Sequence, residues 1–262
     1  MLSRLLKYEF RASARIFGIV YLAIAGLCLS AGILTRLGGE NLAQGSMYQG
    51  FTVTLYVVTG LFLMAAVVIT AVVNLRRFYL GVFRDEGYLL HTLPVRTHEI
   101  LASKLIPAMV WTIATVAVMG LSCLLAVTIA FGRVVLEDLL EAFLQFTPDD
   151  WLTLVLVLLL SLGELVSSIL RIYAVISLGQ TAAKHRIASA VLYWFALNLV
   201  QSWLGMLVGE SLFSHMMEYV TTPLFEPHAT PSFLLMIGIC LLWSAVYWAV
   251  TQWVLTKKLD LE

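Results

Sequence analysis

Charge is what this chain has least of. Only 12% of its 262 residues are Asp, Glu, Lys or Arg, while 61% are hydrophobic. An ordinary soluble domain carries about 25% charged residues. A soluble fold of this composition would need a core with almost no surface, which surface-to-volume scaling excludes. Mean hydropathy is +0.93, so an integral membrane protein is expected. Net charge is zero, so the overall balance says nothing about nucleic acid, and no nucleic-acid partner is expected. There are three cysteines, Cys28, Cys123 and Cys240, far apart in apolar runs and without a CxxC pair. They read as small buried hydrophobes and not as disulfides or metal ligands.

Several catalytic patterns are also missing. No Gly-x-x-x-x-Gly-Lys-Ser/Thr phosphate loop occurs, so no ATPase is expected within the chain. No His-Glu-x-x-His occurs. His91, His98, His185, His215 and His228 fall in expected loops or at span ends, which argues against a Ser–His protease site or haem ligation in the membrane. His215 and His228 with Glu218 and Glu226 are too loosely spaced for a metal site. The expectation is therefore a non-enzyme, with no catalytic, cofactor-binding or metal-binding residues. Short alternating strand patterns are absent, which excludes a membrane β-barrel. No internal repeat or low-complexity linker divides the chain, so residues 1–262 read as one transmembrane domain.

What is there is length in apolar runs. Six segments suit helical spans of roughly 20 residues: Ile16–Leu37, Phe51–Leu75, Leu105–Phe131, Trp151–Leu170, Ile187–Val208 and Ser232–Leu255. The third and fourth are expected to extend beyond the membrane on the inner side. The basic N-terminus runs straight into a span-length apolar run without a small-residue cleavage site, so it reads as an uncleaved first span. With the N-terminus inside, fourteen of the sixteen Lys and Arg residues fall on the inner side. Only Arg36 and Arg133 fall outside. The positive-inside rule then sets six spans with both termini cytoplasmic.

The first fifteen residues, "MLSRLLKYEFRASAR", have two faces. At about 100° per residue, Arg4, Lys7, Arg11 and Arg15 share one sector. Leu2, Leu5, Leu6 and Phe10 share the opposite one. This pattern suits an amphipathic helix in the inner interface, its basic face on anionic headgroups. Glu9 lies within the apolar face and needs a partner there. The expectation is that it faces protein and meets a basic or donating group, with the Phe83–Lys104 loop as the candidate source; a surface Glu on a rotated helix is the alternative.

Polar groups inside the spans are the next candidates. Glu164 lies in the fourth span, with Arg171 two turns on and on the same face. Arg171 can lean towards Glu164 or snorkel to the inner interface. Asn198 and Gln201 share a face of the fifth span, and Thr52, Tyr56, Thr59 and Gly60 form a small polar stripe on the second. Such groups can line a path or serve helix packing.

Between the second and third spans runs "FRDEGYLLHTLPVRTHEILASK", the most charged stretch in the chain. Asp85 can cap a short helix, with Glu86 in its first turn. Leu93 before Pro94 ends it, and Thr97 can cap the next helix. Pro107 can bend that helix. Tyr88, Leu89, Leu90 and Leu93 would form an apolar knob with a charged rim. Such a knob suits docking to another protein, or folding back onto its own helices.

Three stretches in order, "LLKYEFRASARIF", "FRDEGYLLHTLPVRTHEILASKL" and "YAVISLGQTAAKHR", resemble the membrane subunits of bacterial ATP-binding-cassette (ABC) transporters of the type-2 export class. The resemblance extends over nearly the whole chain through individually short signatures. It implies an all-α permease of six transmembrane helices, with a connecting helix at 1–15, including Arg4, Lys7, Glu9 and Arg11, and a coupling loop at 76–104. Arg84, Asp85, Glu86, Gly87, Tyr88, Leu89, Leu90, Leu93, Pro94 and Arg96 would meet a separate ATPase, with His98 and Glu99 as further rim contacts. Gly179–Arg186 would form a second inner loop near it. Residues 209–231 would be an outer segment that re-enters the membrane. The path would be flanked by spans two and five, which favours Thr52, Tyr56, Thr59, Asn198 and Gln201, with Glu164 nearby. The implied partners are two copies of an ATP-binding subunit, which hold ATP and Mg, a second permease of the same or another kind, and lipids of the bacterial plasma membrane. A secondary transporter, or a non-transporting scaffold or sensor, remains the alternative.

Overall fold

A computed structural model describes residues 2–38, 47–83, 97–181, 185–221 and 230–257. These form seven α-helices and, among the described residues, no strand. They are α1 (Leu2–Gly38), α2 (Met47–Phe83), α3 (Thr97–Phe131), α4 (Val134–Leu144), α5 (Pro148–Gln180), α6 (Arg186–Thr221) and α7 (Thr230–Lys257). Five of them, α1, α2, α3, α5 and α7, contain stretches long and apolar enough to cross a membrane. α6 carries a shorter apolar stretch, Ile187–Trp203. The chain is thus an all-helical, multi-pass membrane protein by length and composition.

Three element boundaries differ from those expected. The connecting helix and first span are one uninterrupted helix, because "EFRASARIF" contains helix formers and no Gly or Pro. α6 does not end near Val208. It continues to Thr221, since Pro223 is the first breaker on that side; residues 222–229 of the expected re-entrant segment lie outside the described residues. α4 fills the stretch between the third and fourth expected spans, where no helix was expected. α2, α3 and α5 run well beyond their apolar cores at the ends expected to lie inside, and α3 begins at Thr97 and passes through Pro107 unbroken.

The helix ends have local causes. Thr147 caps α5: its hydroxyl accepts from the Asp150 amide (3.4 Å), and the Asp150 carboxylate accepts from the Thr147 amide (2.8 Å). Pro148 at the first position suits that start. α3 ends at Gly132, whose φ of +84° is costly for any residue with a Cβ.

The chain divides into two compact units. The first holds residues 1–77 and 106–145, and its core is built by α1, α2 and α3. Ile24, Cys28 and Ala66 are buried there beside Val20, Phe62, Met119 and Cys123. Trp111 stacks on Phe17, with ring centroids 4.5 Å apart. The Tyr21 hydroxyl pairs with that of Thr115 (3.0 Å), and Thr115 with Thr70 (3.1 Å), so three helices share one chain of hydroxyls. Asn74 donates to Thr112 (3.2 Å) one turn further along. Small residues let α1 and α3 approach closely. A Cβ on Gly32 would lie 2.5 Å from the Ala126 carbonyl oxygen.

The second unit holds residues 78–105 and 146–262. Phe78 stacks on Tyr173 at 3.8 Å, and the Tyr173 hydroxyl donates to the Lys104 carbonyl (3.3 Å). Gly163 of α5 faces Cys240 of α7, and a Cβ there would meet the Cys240 Cβ at 3.4 Å.

Gly32 and Gly26 make a controlled pair. Gly32→Ala should lower stability by about 1–3 kcal/mol, because the clash is with backbone that cannot rotate away. Gly26→Ala meets nothing within 4 Å and should gain up to about 1 kcal/mol from helix propensity. Thermal unfolding in detergent measures both; an equal response in the two would remove the close-approach argument.

Candidate functional site

The second unit carries a polar seam through otherwise apolar helices. It starts from Arg171 on α5. A Cα–Cβ bond on a helix tilts towards the N-terminus, so this long side chain leans into the apolar body of α5, away from its C-terminal end. α5 and α6 are joined by a short connection and run antiparallel. Counting back from it, Asn198 and Gln201 sit roughly 5–9 Å beyond the level of Arg171, on the side to which its side chain leans. The guanidinium Nη1 donates to Asn198 Oδ1 (3.2 Å) and to Gln201 Oε1 (3.1 Å). Gln201 Oε1 also accepts from the Tyr247 hydroxyl on α7 (3.1 Å). Tyr247 is fully buried and stacks with Trp243.

Glu164 lies two turns before Arg171 and does not pair with it. Its carboxylate accepts from the Cys240 thiol at 2.9 Å. The two rungs of the seam share a register. Glu164 and Cys240 are 76 residues apart, as are Arg171 and Tyr247. Stepping seven residues on both α5 and α7 leads from the Glu164–Cys240 contact to Arg171 and Tyr247, which meet on Gln201 Oε1, so these two helices run in the same direction. The Glu164 side chain is nevertheless exposed on the surface of this chain. A thiol is a weak donor and satisfies only a small part of a carboxylate.

The first unit holds the other charged feature. Glu9 is buried and pairs with Arg77 of α2 at 3.0 Å. Arg77 also donates to the Glu9 backbone carbonyl (2.9 Å), and the Ser13 hydroxyl donates to the same carbonyl (3.0 Å). Glu9 faces protein and meets a basic group, as expected, but that group is Arg77 of α2 and not a residue of the expected Phe83–Lys104 loop. Lys7, Arg11 and Arg15 stay exposed, as a headgroup-facing sector should.

The remaining sequence candidates fall as follows. Arg84, Asp85, Glu86, Gly87, Tyr88, Leu89, Leu90, Leu93, Pro94 and Arg96 lie outside the described residues, as does the side chain of Arg4. Asn198 and Gln201 come together on Arg171. Thr52 and Thr59 are buried in the first unit, and their hydroxyls donate to the carbonyls of Tyr48 and Leu55 four residues back in α2. Tyr56 shares a hydrogen bond with Thr35 of α1. The seam's two α7 residues, Tyr247 and Cys240, escaped the sequence reading. Their seven-residue spacing, equal to that of Glu164 and Arg171, was the available signal. Cys240 is as buried as expected, but its thiol is used. Among the described residues, no group of three or more His, Cys, Asp or Glu is placed to hold a metal.

Compared with protein-family models, with curated proteins and with solved structures, the chain matches none.

Because Gln201 Oε1 serves two donors, Gln201→Leu should cost about 1–3 kcal/mol and Asn198→Leu distinctly less. Removing the cation as well, in Arg171→Leu/Gln201→Leu, should recover part of the loss, since no buried charge is left unpaired. Denaturation of the purified chain measures the cycle. Strictly additive losses would mean that the two side chains do not interact.

Proposed function

We propose that the chain is the membrane subunit of an ATP-driven exporter of the ABC type-2 class, energised by a separate ATPase. In this reading six helices cross the bacterial plasma membrane, α6 being the fifth span, with both termini in the cytoplasm. The Lys and Arg distribution supports that topology. The missing phosphate loop supports an outside source of energy, because that loop is what cradles ATP in such ATPases. ATP and Mg would sit in the partner subunit.

The observation that carries a transport reading is Glu164. A carboxylate on a membrane-crossing helix is costly in hydrocarbon, yet this one is exposed on the chain's own surface and has a single weak donor. Its open side therefore belongs against a water-filled path or a second permease subunit. Arg171, Asn198, Gln201 and Tyr247 continue the same seam. ATP binding would draw the two ATPases together. The coupling segment Asp85–Pro94, which follows α2, would move with them. The Glu9–Arg77 pair then joins that end of α2 to α1, so the connecting helix would follow.

Two measurements test the reading. Tagged protein purified in mild detergent should retain an ATPase subunit, and Leu90→Asp or Leu93→Asp should abolish its retention. If no ATPase is ever retained and both variants keep full activity, the coupling role fails. In the reconstituted complex, Glu164→Gln should change substrate-stimulated ATP turnover several-fold while leaving basal turnover intact. Unchanged stimulation would place the path elsewhere.

A further inference from the structure

Two of the three cysteines, far apart in sequence, meet in the first unit. Cys28 of α1 and Cys123 of α3 share a side-chain hydrogen bond. Cys28 is 2% exposed, and Cys123 is half-buried against the same apolar cluster. The packing of α1 on α3 brings them together. Tyr21 meets Thr115, and Gly32 faces the backbone of Ala126. The two cysteines lie between these contacts on both helices, so the close approach at Gly32 keeps the thiols near one another. A third sulfur joins them. Met119 packs against the same cluster. It precedes Cys123 by four residues, which places both on one face of α3. Ile24, Phe62, Leu63, Ala66 and Val118 supply hydrocarbon around them.

We propose that Cys28, Cys123 and Met119 form a binding site for a soft monovalent metal cation, Cu(I) or Ag(I). Thiolate and thioether sulfurs are the donors that such ions select. The three come from two helices, so a bound ion would tie α1 to α3. Cys123 is the half-buried sulfur of the pair, so an arriving ion meets it before Cys28. Sequence spacing could not show the site, because its two cysteines lie on different helices.

Charge balance selects the same class of ion. An uncompensated charge is costly in an apolar core. Binding replaces one S–H bond by one S–metal bond and releases one proton to solvent. The thiolate so formed cancels the monovalent cation. The second thiol and the thioether complete the shell as neutral donors. A divalent ion such as Zn(II) would need both thiols ionised and would still lack its usual four ligands. The site lies wholly within the first unit and does not depend on the export reading.

Metal titration tests it on the full chain, purified and reduced in detergent. Cu(I), supplied in competition with the chromogenic chelator bicinchoninate, should bind with one equivalent per chain. Cys28→Ser and Cys123→Ser should each weaken binding by more than about tenfold, and Met119→Leu should weaken it by a smaller factor. Cys240→Ser, in the second unit, should bind as the wild type does. Absence of binding, binding that survives unchanged in Cys28→Ser and Cys123→Ser, or binding lost in Cys240→Ser would overturn the proposal. So would displacement of Cu(I) by equimolar Zn(II). A measurement on the wild type keeps the test independent of how the variants fold. Copper-edge X-ray absorption of the complex should show sulfur neighbours only, and a shell of nitrogen or oxygen would refute the site.

Discussion

A polar group on a membrane-crossing helix has no water to turn to, and most of the side-chain geometry described above follows from that. Hydroxyls solve the problem locally. Thr52, Thr59, Thr70, Thr112, Thr115, Ser177 and Thr251 each donate to the carbonyl four residues back in their own helix. These groups need no partner from elsewhere. A guanidinium or carboxylate cannot be satisfied in that way. Arg171 reaches two amides on α6, and Glu9 takes Arg77 from α2. Charged groups must therefore reach another helix, whereas hydroxyls tie helices together only where, as in Tyr21–Thr115–Thr70, they also meet one another.

The two units use this constraint differently. In the first, aromatic stacking of Trp111 on Phe17 and the Tyr21–Thr115–Thr70 chain hold α1, α2 and α3 with neutral groups. Each such bond is worth about 1 kcal/mol, and its loss leaves no charge behind. Its ionic pair is Glu9–Arg77, close to the N-terminal end of α1. In the second unit the ionisable groups sit within the helices themselves. Losing a partner in that unit leaves a charge short of an acceptor, which costs more than the loss of a neutral bond. The second unit is therefore the one in which helix positions depend most on polar pairing.

Much of the helical layout was legible in the sequence, because span-length hydropathy is a one-dimensional signal. The partner class of Glu9 was legible as well, since a single carboxylate amid Leu and Phe has few alternatives. Helix ends were not. Hydropathy fades at Val208, but nothing there stops a helix, so α6 runs on to Thr221. α4 was not expected because Val134–Leu144 is too short for a span, although Leu136, Leu139, Leu140 and Phe143 already had helical spacing. The partner of Arg171 was out of reach too. Periodicity shows which residues share a face of one helix, and here it pointed to Glu164. The actual acceptors lie on another helix, and the backward tilt of the side chain selects them.

The seam also constrains how the second unit can move. α5 and α7 share one register over two rungs, and the small contact at Gly163 keeps them close. They form a natural rigid pair. α6 meets that pair through Asn198 and Gln201, and the amide oxygens of both accept from a single nitrogen of Arg171. Sliding α6 by one turn, about 5.4 Å, would break both bonds at once and strand the cation. Such a movement becomes affordable only if another acceptor takes over as α6 leaves. Glu164 is the carboxylate on the same face of α5, and its open side has the capacity. A displaced α6 would thus convert an amide-held cation into one leaning on Glu164, and the cost of that exchange would set the balance between the two positions.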